Sequence, residues 1–213
     1  MKIKKLISRE KAYLEWKYLL KKNNVKIKNI KYKSIIKRNN CDFSISTVDS
    51  NLIYKGKTYE RVVQLEGASV VIIPLLYYKK KIKTLLVSQF RAPLAGNNFE
   101  FPSGSADYKN LKKSAQKEIN EELGIKIDLR NLKKINRKGI FVSANNYSKL
   151  YYFYFKIKVD KKMLNNFKKN IYGNKSHGEY IKLKLVDFNK FLNNFSSANI
   201  TVGYSLIKNY EIL

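Results

Sequence analysis

Apolar residues along the chain follow the periods of a mixed α/β protein. A continuous apolar run over residues 68–77 predicts a buried strand, which pairs with a second strand over 82–89 across a lysine turn. Other strands are predicted over 57–63, 133–141, 150–159 and 180–185. Helices are predicted near 187–194 and over 202–210. Strands that alternate with helices predict a mixed sheet sandwiched between helices.

The clearest helix is predicted from about Asn110 to Leu123. Leu111, Ala115, Ile119 and Leu123 recur every four residues, which is the spacing of one buried helical face. Asn110 is a residue type that starts helices, and Gly124 is the type that follows their last turn.

Three glutamates, Glu118, Glu121 and Glu122, lie toward the end of this helix. Positions i, i+3 and i+4 share one helical face, so the three carboxylates are expected to converge. Like charges at this spacing, close to the negative end of the helix dipole, destabilise a helix. A bound divalent cation such as Mg²⁺ would offset this repulsion, because hard cations prefer carboxylate oxygens. The alternative is a solvated acidic helix end that nearby lysines neutralise.

The segment Gln89-Phe-Arg-Ala-Pro-Leu-Ala-Gly-Asn-Asn-Phe-Glu-Phe-Pro-Ser-Gly104 precedes the acidic helix. Together they resemble the Nudix hydrolase superfamily and, within it, the ADP-sugar (ADP-ribose) pyrophosphatases. Gly104 matches the first glycine of the Nudix box. The second half of the box is matched by Glu118, Ile119, Glu121, Glu122, Gly124 and Ile125. The resemblance covers about residues 55–208.

This resemblance implies a hydrolase that uses Mg²⁺ or Mn²⁺ to cleave ADP-ribose or an ADP-sugar into AMP and a sugar phosphate. It implies metal binding by Glu118, Glu121, Glu122 and the Ser103 carbonyl. It implies catalytic roles for Glu121 and for Glu179, the latter as general base. The substrate-binding residues that it implies are Tyr59, Glu60, Arg91 and Gly104. Because family members are often dimers, it also implies a homodimer for a chain that is free in solution.

The sequence departs from the family pattern around the box. The interval from Gly104 to Lys117 is one residue shorter, and the first box glutamate has no counterpart, since Lys109 or Asn110 falls there. Lys117 replaces the box arginine and so lacks the planar bidentate fork of a guanidinium. Gln64 stands where an arginine is usual. These departures predict a reduced activity.

The charge of the chain is extreme. It has 44 Lys and Arg against 16 Asp and Glu, a net charge of +28 and an isoelectric point of about 10.0. Such an excess is the electrostatic footprint of a polyanionic partner.

One cysteine, Cys41, and one histidine, His177, exclude a Cys/His zinc site. The single cysteine predicts a reducing, cytoplasmic setting, and the longest apolar run, 70–78, is too short to cross a bilayer.

The basic charge is concentrated at the N-terminus. Residues 1–40 hold fourteen Lys and Arg against Glu10 and Glu15. A helix is predicted over 8–22, with Leu14, Tyr18 and Leu19 facing one way and Trp16 nearby. We therefore predict a basic, partly helical extension over 1–48, followed by a Nudix domain over 49–213.

This extension predicts an alternative function, in which a Nudix-fold protein binds RNA or associates with ribosomes and its nucleotide site is vestigial. Lysines interleaved with aromatic residues suit phosphate contacts and base stacking. The predicted RNA contacts are Lys2, Lys4, Lys5, Arg9, Lys11, Trp16, Lys17, Lys21, Lys22, Lys26, Lys28, Lys31, Lys33, Lys37 and Arg38. The sequence leaves open the hydrolase, the RNA-binding protein, and an enzyme that combines both features on a ribonucleoprotein or at an RNA end.

Overall fold

The computed structural model describes residues 2–37, 44–141, 143–169, 171–173, 180–190 and 197–213. Its helices are α1 (Lys2–Ile7), α2 (Lys11–Lys22), α3 (Leu111–Leu123), α4 (Lys161–Lys169) and α5 (Ala198–Asn209). Its strands are β1 (Lys26–Lys37), β2 (Ser44–Tyr54), β3 (Lys57–Tyr78), β4 (Lys81–Arg91), β5 (Gly96–Glu100), β6 (Ser103–Ala106), β7 (Lys133–Lys134), β8 (Asn146–Lys158), β9 (Ile171–Tyr172) and β10 (Ile181–Asp187). The predicted α/β class is confirmed.

The backbone divides into two compact units. Unit 1 comprises Met1–Ala68 and Gly139–Leu150, and unit 2 comprises Ser69–Lys138 and Tyr151–Leu213. Strands β3 and β8 each contribute residues to both units. The predicted limit of the extension, between residues 48 and 49, falls inside β2. The separation of the chain into an extension and a Nudix domain stays a prediction.

Unit 1 is an antiparallel sheet in which β1 pairs with β2 and β2 pairs with the first part of β3. Helices α1 and α2 supply Ile7, Tyr13 and Trp16 to a core that includes Val48 and Leu65. The Tyr13 and Tyr32 hydroxyls are 2.7 Å apart. Burial and the hydrogen bond with Tyr32 raise the pKa of Tyr13 above its ordinary value.

The helix predicted over 8–22 is confirmed as α2, which begins at Lys11. Leu14 and Tyr18, predicted to face one way, both lie on its outer face, 53% and 64% exposed. The buried face carries Tyr13 and Trp16. The sequence analysis did not predict β1, a twelve-residue strand that the high density of lysines concealed.

Unit 2 contains the second part of β3, which forms a hairpin with β4, while β4 also pairs with β10 and with β5. The turn of the hairpin lies between Tyr78 and Lys81 and confirms the predicted strand pair. Helix α3 packs on β6, and α4 packs on β10. Helix α5 approaches the chain between β5 and β6, where Gly203 lies against Phe101.

Some of the remaining secondary-structure predictions are confirmed, and one is wrong in extent. The helix over 202–210 is confirmed as part of α5, and the strand over 180–185 as β10. The strand over 133–141 is wrong in extent, because β7 covers only Lys133–Lys134. For the helix predicted near 187–194, residues 188–190 form a turn, and residues 191–194 lie outside the described residues. Among the described helices, none is long and apolar enough to span a membrane.

Candidate functional site

The helix that carries the glutamates forms as its apolar spacing predicts. Ala115, Ile119 and Leu123 of α3 are fully buried. Gly124 adopts a left-handed conformation with φ 64° and closes the helix through an N–H bond to the Asn120 carbonyl. Asn110 occupies the position before the first turn, but its side chain makes no capping hydrogen bond. The core stripe and the glycine therefore fix which way the carboxylates project.

Two of the glutamates face the short strand β6. The Glu122 side chain, only 5% exposed, accepts a hydrogen bond of 3.0 Å from the backbone N–H of Ser103. The Glu118 carboxylate lies directly against Gly104, where it occupies the space that a Cβ atom would need. Glycine at position 104 is thus a steric requirement of this contact. The structure brings together four residues predicted for the metal and substrate site, namely Ser103, Gly104, Glu118 and Glu122.

Glu121 projects from the flank of the helix. One of its carboxylate oxygens is 3.7 Å from the ammonium of Lys117, and the two side chains are 32% and 68% exposed. Its backbone carbonyl accepts a bond of 3.1 Å from the N–H of Gly173. Glu121 therefore does not share the environment of Glu118 and Glu122. The metal and catalytic roles predicted for it stay predictions.

The chemistry of the donors near β6 fits a hard divalent cation. Glu118 and Glu122 are one helical turn apart, and their carboxylate oxygens are of the kind that Mg²⁺ accepts. The metal contact predicted for the Ser103 carbonyl stays a prediction. Across the described residues, no three Asp, Glu, His or Cys side chains are grouped closely enough to hold a metal by themselves. Glu179, the predicted general base, lies outside the described residues.

Arg91 is held by an acid that the sequence analysis did not single out. Its Nε and Nη2 atoms donate to the two carboxylate oxygens of Glu100 at 3.0 and 2.6 Å. The amide of Asn98 also donates to Glu100, at 3.0 Å. Arg91 is 39% exposed and Glu100 only 12%. The available signal was the Glu-Phe-Pro segment, whose glutamate lies on β5, the strand that pairs with the end of β4.

Tyr59 and Glu60, predicted to contact adenine, lie on the first part of β3. They belong to unit 1, whereas Ser103, Glu118 and Glu122 belong to unit 2. The guanidinium of Arg61 is 5.6 Å from the centre of the Tyr59 ring. Binding of adenine by this pair stays a prediction.

The predicted RNA contacts in unit 1 divide by exposure. Trp16 is 7% exposed and packs in the core beside Tyr13, which argues against the base contact predicted for it. Lys33 is engaged with Asp49 at 2.8 Å. Arg38 and the Lys37 side chain lie outside what the structure describes. The exposed lysines are Lys2, Lys4, Lys5, Lys11, Lys17, Lys21, Lys22, Lys26, Lys28, Lys31 and Lys33.

Comparison with known proteins rests on the fold. No family model matches the sequence, and no curated protein matches it. A solved structure described as the crystal structure of an ADP compounds hydrolase, a Nudix enzyme, matches 87% of this chain and 93% of its own, with a TM-score of 0.55. The chain has a Nudix-like fold. At 14% sequence identity the likeness shows the fold alone. The predicted Nudix-type architecture is confirmed at that level.

Proposed function

We propose that this Nudix-fold chain hydrolyses nucleoside diphosphate derivatives, cleaving ADP-ribose or an ADP-sugar into AMP and a sugar phosphate with Mg²⁺ or Mn²⁺. The observation that carries the proposal is the seating of two box glutamates against β6. Glu122 accepts from the Ser103 N–H, and Glu118 fills the space beside Gly104. The activity named for the similar solved structure is of the same chemical class.

The barrier to this reaction is electrostatic, because water must attack a phosphorus atom within an anionic diphosphate. A bound divalent cation would supply charge neutralisation and a more acidic water. Glu118 and Glu122 would hold it, and the Ser103 N–H fixes the orientation of the Glu122 carboxylate. Hydrolysis breaks one P–O bond of the diphosphate, and the water adds OH to phosphorus and a proton to the departing phosphate. Arg91, held in place by Glu100, would bind a phosphate or the terminal ribose.

The departures around the box lower the expected rate. The Lys117 ammonium reaches Glu121 at 3.7 Å, a contact that lacks the paired hydrogen bonds of a guanidinium. Loss of groups that orient metal ligands typically costs 10- to 100-fold in affinity or activity. We therefore expect turnover below that of an intact Nudix site.

The decisive variant is Glu122→Gln, because the amide oxygen can still accept from the Ser103 N–H while the negative charge is lost. Release of AMP from ADP-ribose with Mg²⁺ or Mn²⁺ should fall below detection, while the thermal unfolding midpoint stays close to wild type. Glu211→Gln makes the same chemical change at an exposed position and should leave turnover unchanged. If the wild-type chain releases no AMP with either metal, the hydrolase proposal fails.

A second candidate function, binding of RNA or of a ribosome, is favoured by the outer face of α2. Leu14 and Tyr18 are exposed there, and Lys17 and Lys21 of the same helix are also exposed. An exposed aromatic ring on a lysine-rich helix can stack on a base while the lysines contact phosphates. The net charge of +28 adds long-range attraction to any polyanion.

This candidate is tested with charge-neutral variants, since removal of residues 1–48 would delete α1, α2 and β1 and with them part of the unit 1 core. Lys17→Gln/Lys21→Gln should reduce the salt dependence of binding to single-stranded RNA by about 0.7 per lost phosphate contact. The matched control, Lys55→Gln/Lys57→Gln, neutralises two exposed lysines of the β2–β3 turn. If the log of RNA affinity falls equally steeply with the log of salt concentration in the two variants, the candidate fails. It also fails if the wild type does not sediment with ribosomes at low salt.

A further inference from the structure

A basic hollow lies on the side of α3 away from Glu118 and Glu122. It has a volume of about 400 Å³ and is lined by Lys113, Gln116, Lys117, Asn120 and the segment Ile125, Lys126, Ile127. This volume lies within the range of small-ligand sites, roughly 300–1,000 Å³. On a helix of 3.6 residues per turn, Lys113 and Lys117 project well away from Glu118 and Glu122. The hollow is therefore a different surface from the proposed metal site.

The segment 125–127, which lines the hollow together with α3, is held in place. The Gln116 side-chain amide donates to the Ile127 carbonyl at 2.7 Å, which ties the segment after α3 to the helix itself. Ile125 is buried, while Lys126 is exposed beside it. The spacing between the lysines of the helix and Lys126 is thus set by a hydrogen bond and a buried side chain.

The positive charge in the hollow is poorly compensated. None of the lining residues is acidic. Within the described part of the chain, Lys113 and Lys126 make no ion pair, and Lys117 has only the 3.7 Å contact with Glu121. Lys113 and Lys117 are also an i, i+4 pair of like charge, a spacing that destabilises a helix. An anion bound between these three ammonium groups would relieve that repulsion.

We propose that this hollow binds phosphate groups of nucleotides, with Lys113, Lys117 and Lys126 as the phosphate contacts. Ammonium groups contact phosphate oxygens as point charges and donate up to three hydrogen bonds each. Asn120 offers a further amide, and Ile125 and Ile127 provide apolar surface beside the charges. The phosphates come either from an RNA strand or from a free nucleotide.

The test measures lysine protection in the full chain. Acetylation rates of Lys113, Lys117 and Lys126 are compared with those of Lys80, Lys161 and Lys162, three exposed lysines of the same unit. With a 20-nucleotide single-stranded RNA, the lysines of the hollow should be protected severalfold more than the other three. With ADP instead, protection of the same lysines identifies a free nucleotide as the source. Equal protection of both sets, or none with either probe, overturns the proposal.

Variants provide a second readout that does not depend on hydrolysis. Lys113→Ala/Lys117→Ala/Lys126→Ala should weaken whichever probe protects the hollow, and for RNA should lower the salt slope by about 0.7 per phosphate. Lys80→Ala/Lys161→Ala/Lys162→Ala removes the same charge and is the matched control. If both triple variants lose equal affinity, only the net charge matters and the hollow is not a site. Glu122→Gln should leave this binding intact, so failure of the hydrolase proposal is distinguishable.

Discussion

The carboxylate of Glu118 occupies the space in which a side chain at Gly104 would begin. The end of the Glu118 side chain on α3 therefore lies against the backbone of β6 at a position that only glycine leaves open. The hydrogen bond from the Ser103 N–H to Glu122 acts one residue earlier on β6 and one turn later on α3. These two contacts define the candidate site more narrowly than three glutamates on a helix do.

Gly104→Ala should impair metal-dependent turnover because the new methyl group displaces Glu118. We expect activity to fall by 10- to 100-fold and the Mg²⁺ concentration for half-maximal rate to rise. Gly96→Ala is the matched control, because its Cβ would meet nothing closer than the Leu94 carbonyl at 3.6 Å. An unchanged Mg²⁺ dependence in Gly104→Ala would show that Glu118 is not a ligand.

Gly203→Ala should destabilise unit 2, although glycine to alanine usually strengthens a helix by about 1 kcal/mol. A Cβ at position 203 would lie 2.9 Å from Phe101 and 3.1 Å from Ile73, both buried. Overpacking of this kind costs about 1–3 kcal/mol, so it outweighs the gain in helix propensity. Urea unfolding measures the difference, and Ser205→Ala on the same helix should cost less than about 0.5 kcal/mol. A more stable Gly203→Ala would mean that Phe101 shifts freely.

Trp16→Ala and Tyr18→Ala should differ in their effect on stability, although the two residues lie only two positions apart on α2. Trp16 lies in the core of unit 1, and its removal should cost about 3–5 kcal/mol of unfolding free energy. Tyr18 is 64% exposed, so Tyr18→Ala should leave stability nearly unchanged. If the RNA candidate holds, Tyr18→Ala weakens RNA binding by about 1–3 kcal/mol, measured by fluorescence anisotropy, and Tyr18→Phe restores it.

Tyr152→Phe should stabilise the protein, most clearly at alkaline pH. The Tyr152 side chain is fully buried, and its hydroxyl finds no hydrogen-bond partner in the described part of the chain. An unpaired buried hydroxyl costs roughly 1–3 kcal/mol, which phenylalanine avoids.

The pH dependence follows from the direction of the pKa shift. Burial raises the pKa of Tyr152 above its unfolded value near 10. The contribution of the neutral Tyr152 side chain to the free energy of unfolding is therefore fully present below about pH 10 and is lost as the pH rises further. Thermal unfolding between pH 8 and 11 should show a smaller loss in Tyr152→Phe than in wild type, whereas Tyr210→Phe, at an exposed ring, should match wild type.

The sequence predicted elements whose local signals agree with their packing. Helix α3 has a four-residue apolar stripe and ends at a glycine in the left-handed conformation, so propensity, pattern and termination all indicate the same helix. The β3–β4 hairpin is similarly marked by two apolar runs around a lysine turn. Local rules suffice where each signal supports the others.

Tertiary contacts decided what the sequence did not show. Lysines occupy so many positions of β1 that their charge masked Ile30, Tyr32 and Ile35, which pack on the core, and a shift in register between Tyr32 and Ser34 interrupts the alternation. Trp16 and Tyr18 stand on either side of Lys17, and only the packing of α2 on the sheet separates a core residue from an exposed one. Arg91 pairs with Glu100 although the register of β4 with β5 sets Glu100 opposite Val87, so strand pairing alone does not indicate this contact.

Among the described strands, β1 pairs only with β2 and stands at the end of the strand order. In this part of the chain its other edge, twelve residues long, is a template on which another copy of the chain could add a strand. The exposed lysines Lys26, Lys28 and Lys31 place like charges along that edge, so copies repel each other. Salt weakens this repulsion, with a screening length of about 10 Å at 0.1 M and 3 Å at 1 M. High ionic strength should thus remove the protection against aggregation, and the protein should keep best in dilute buffer.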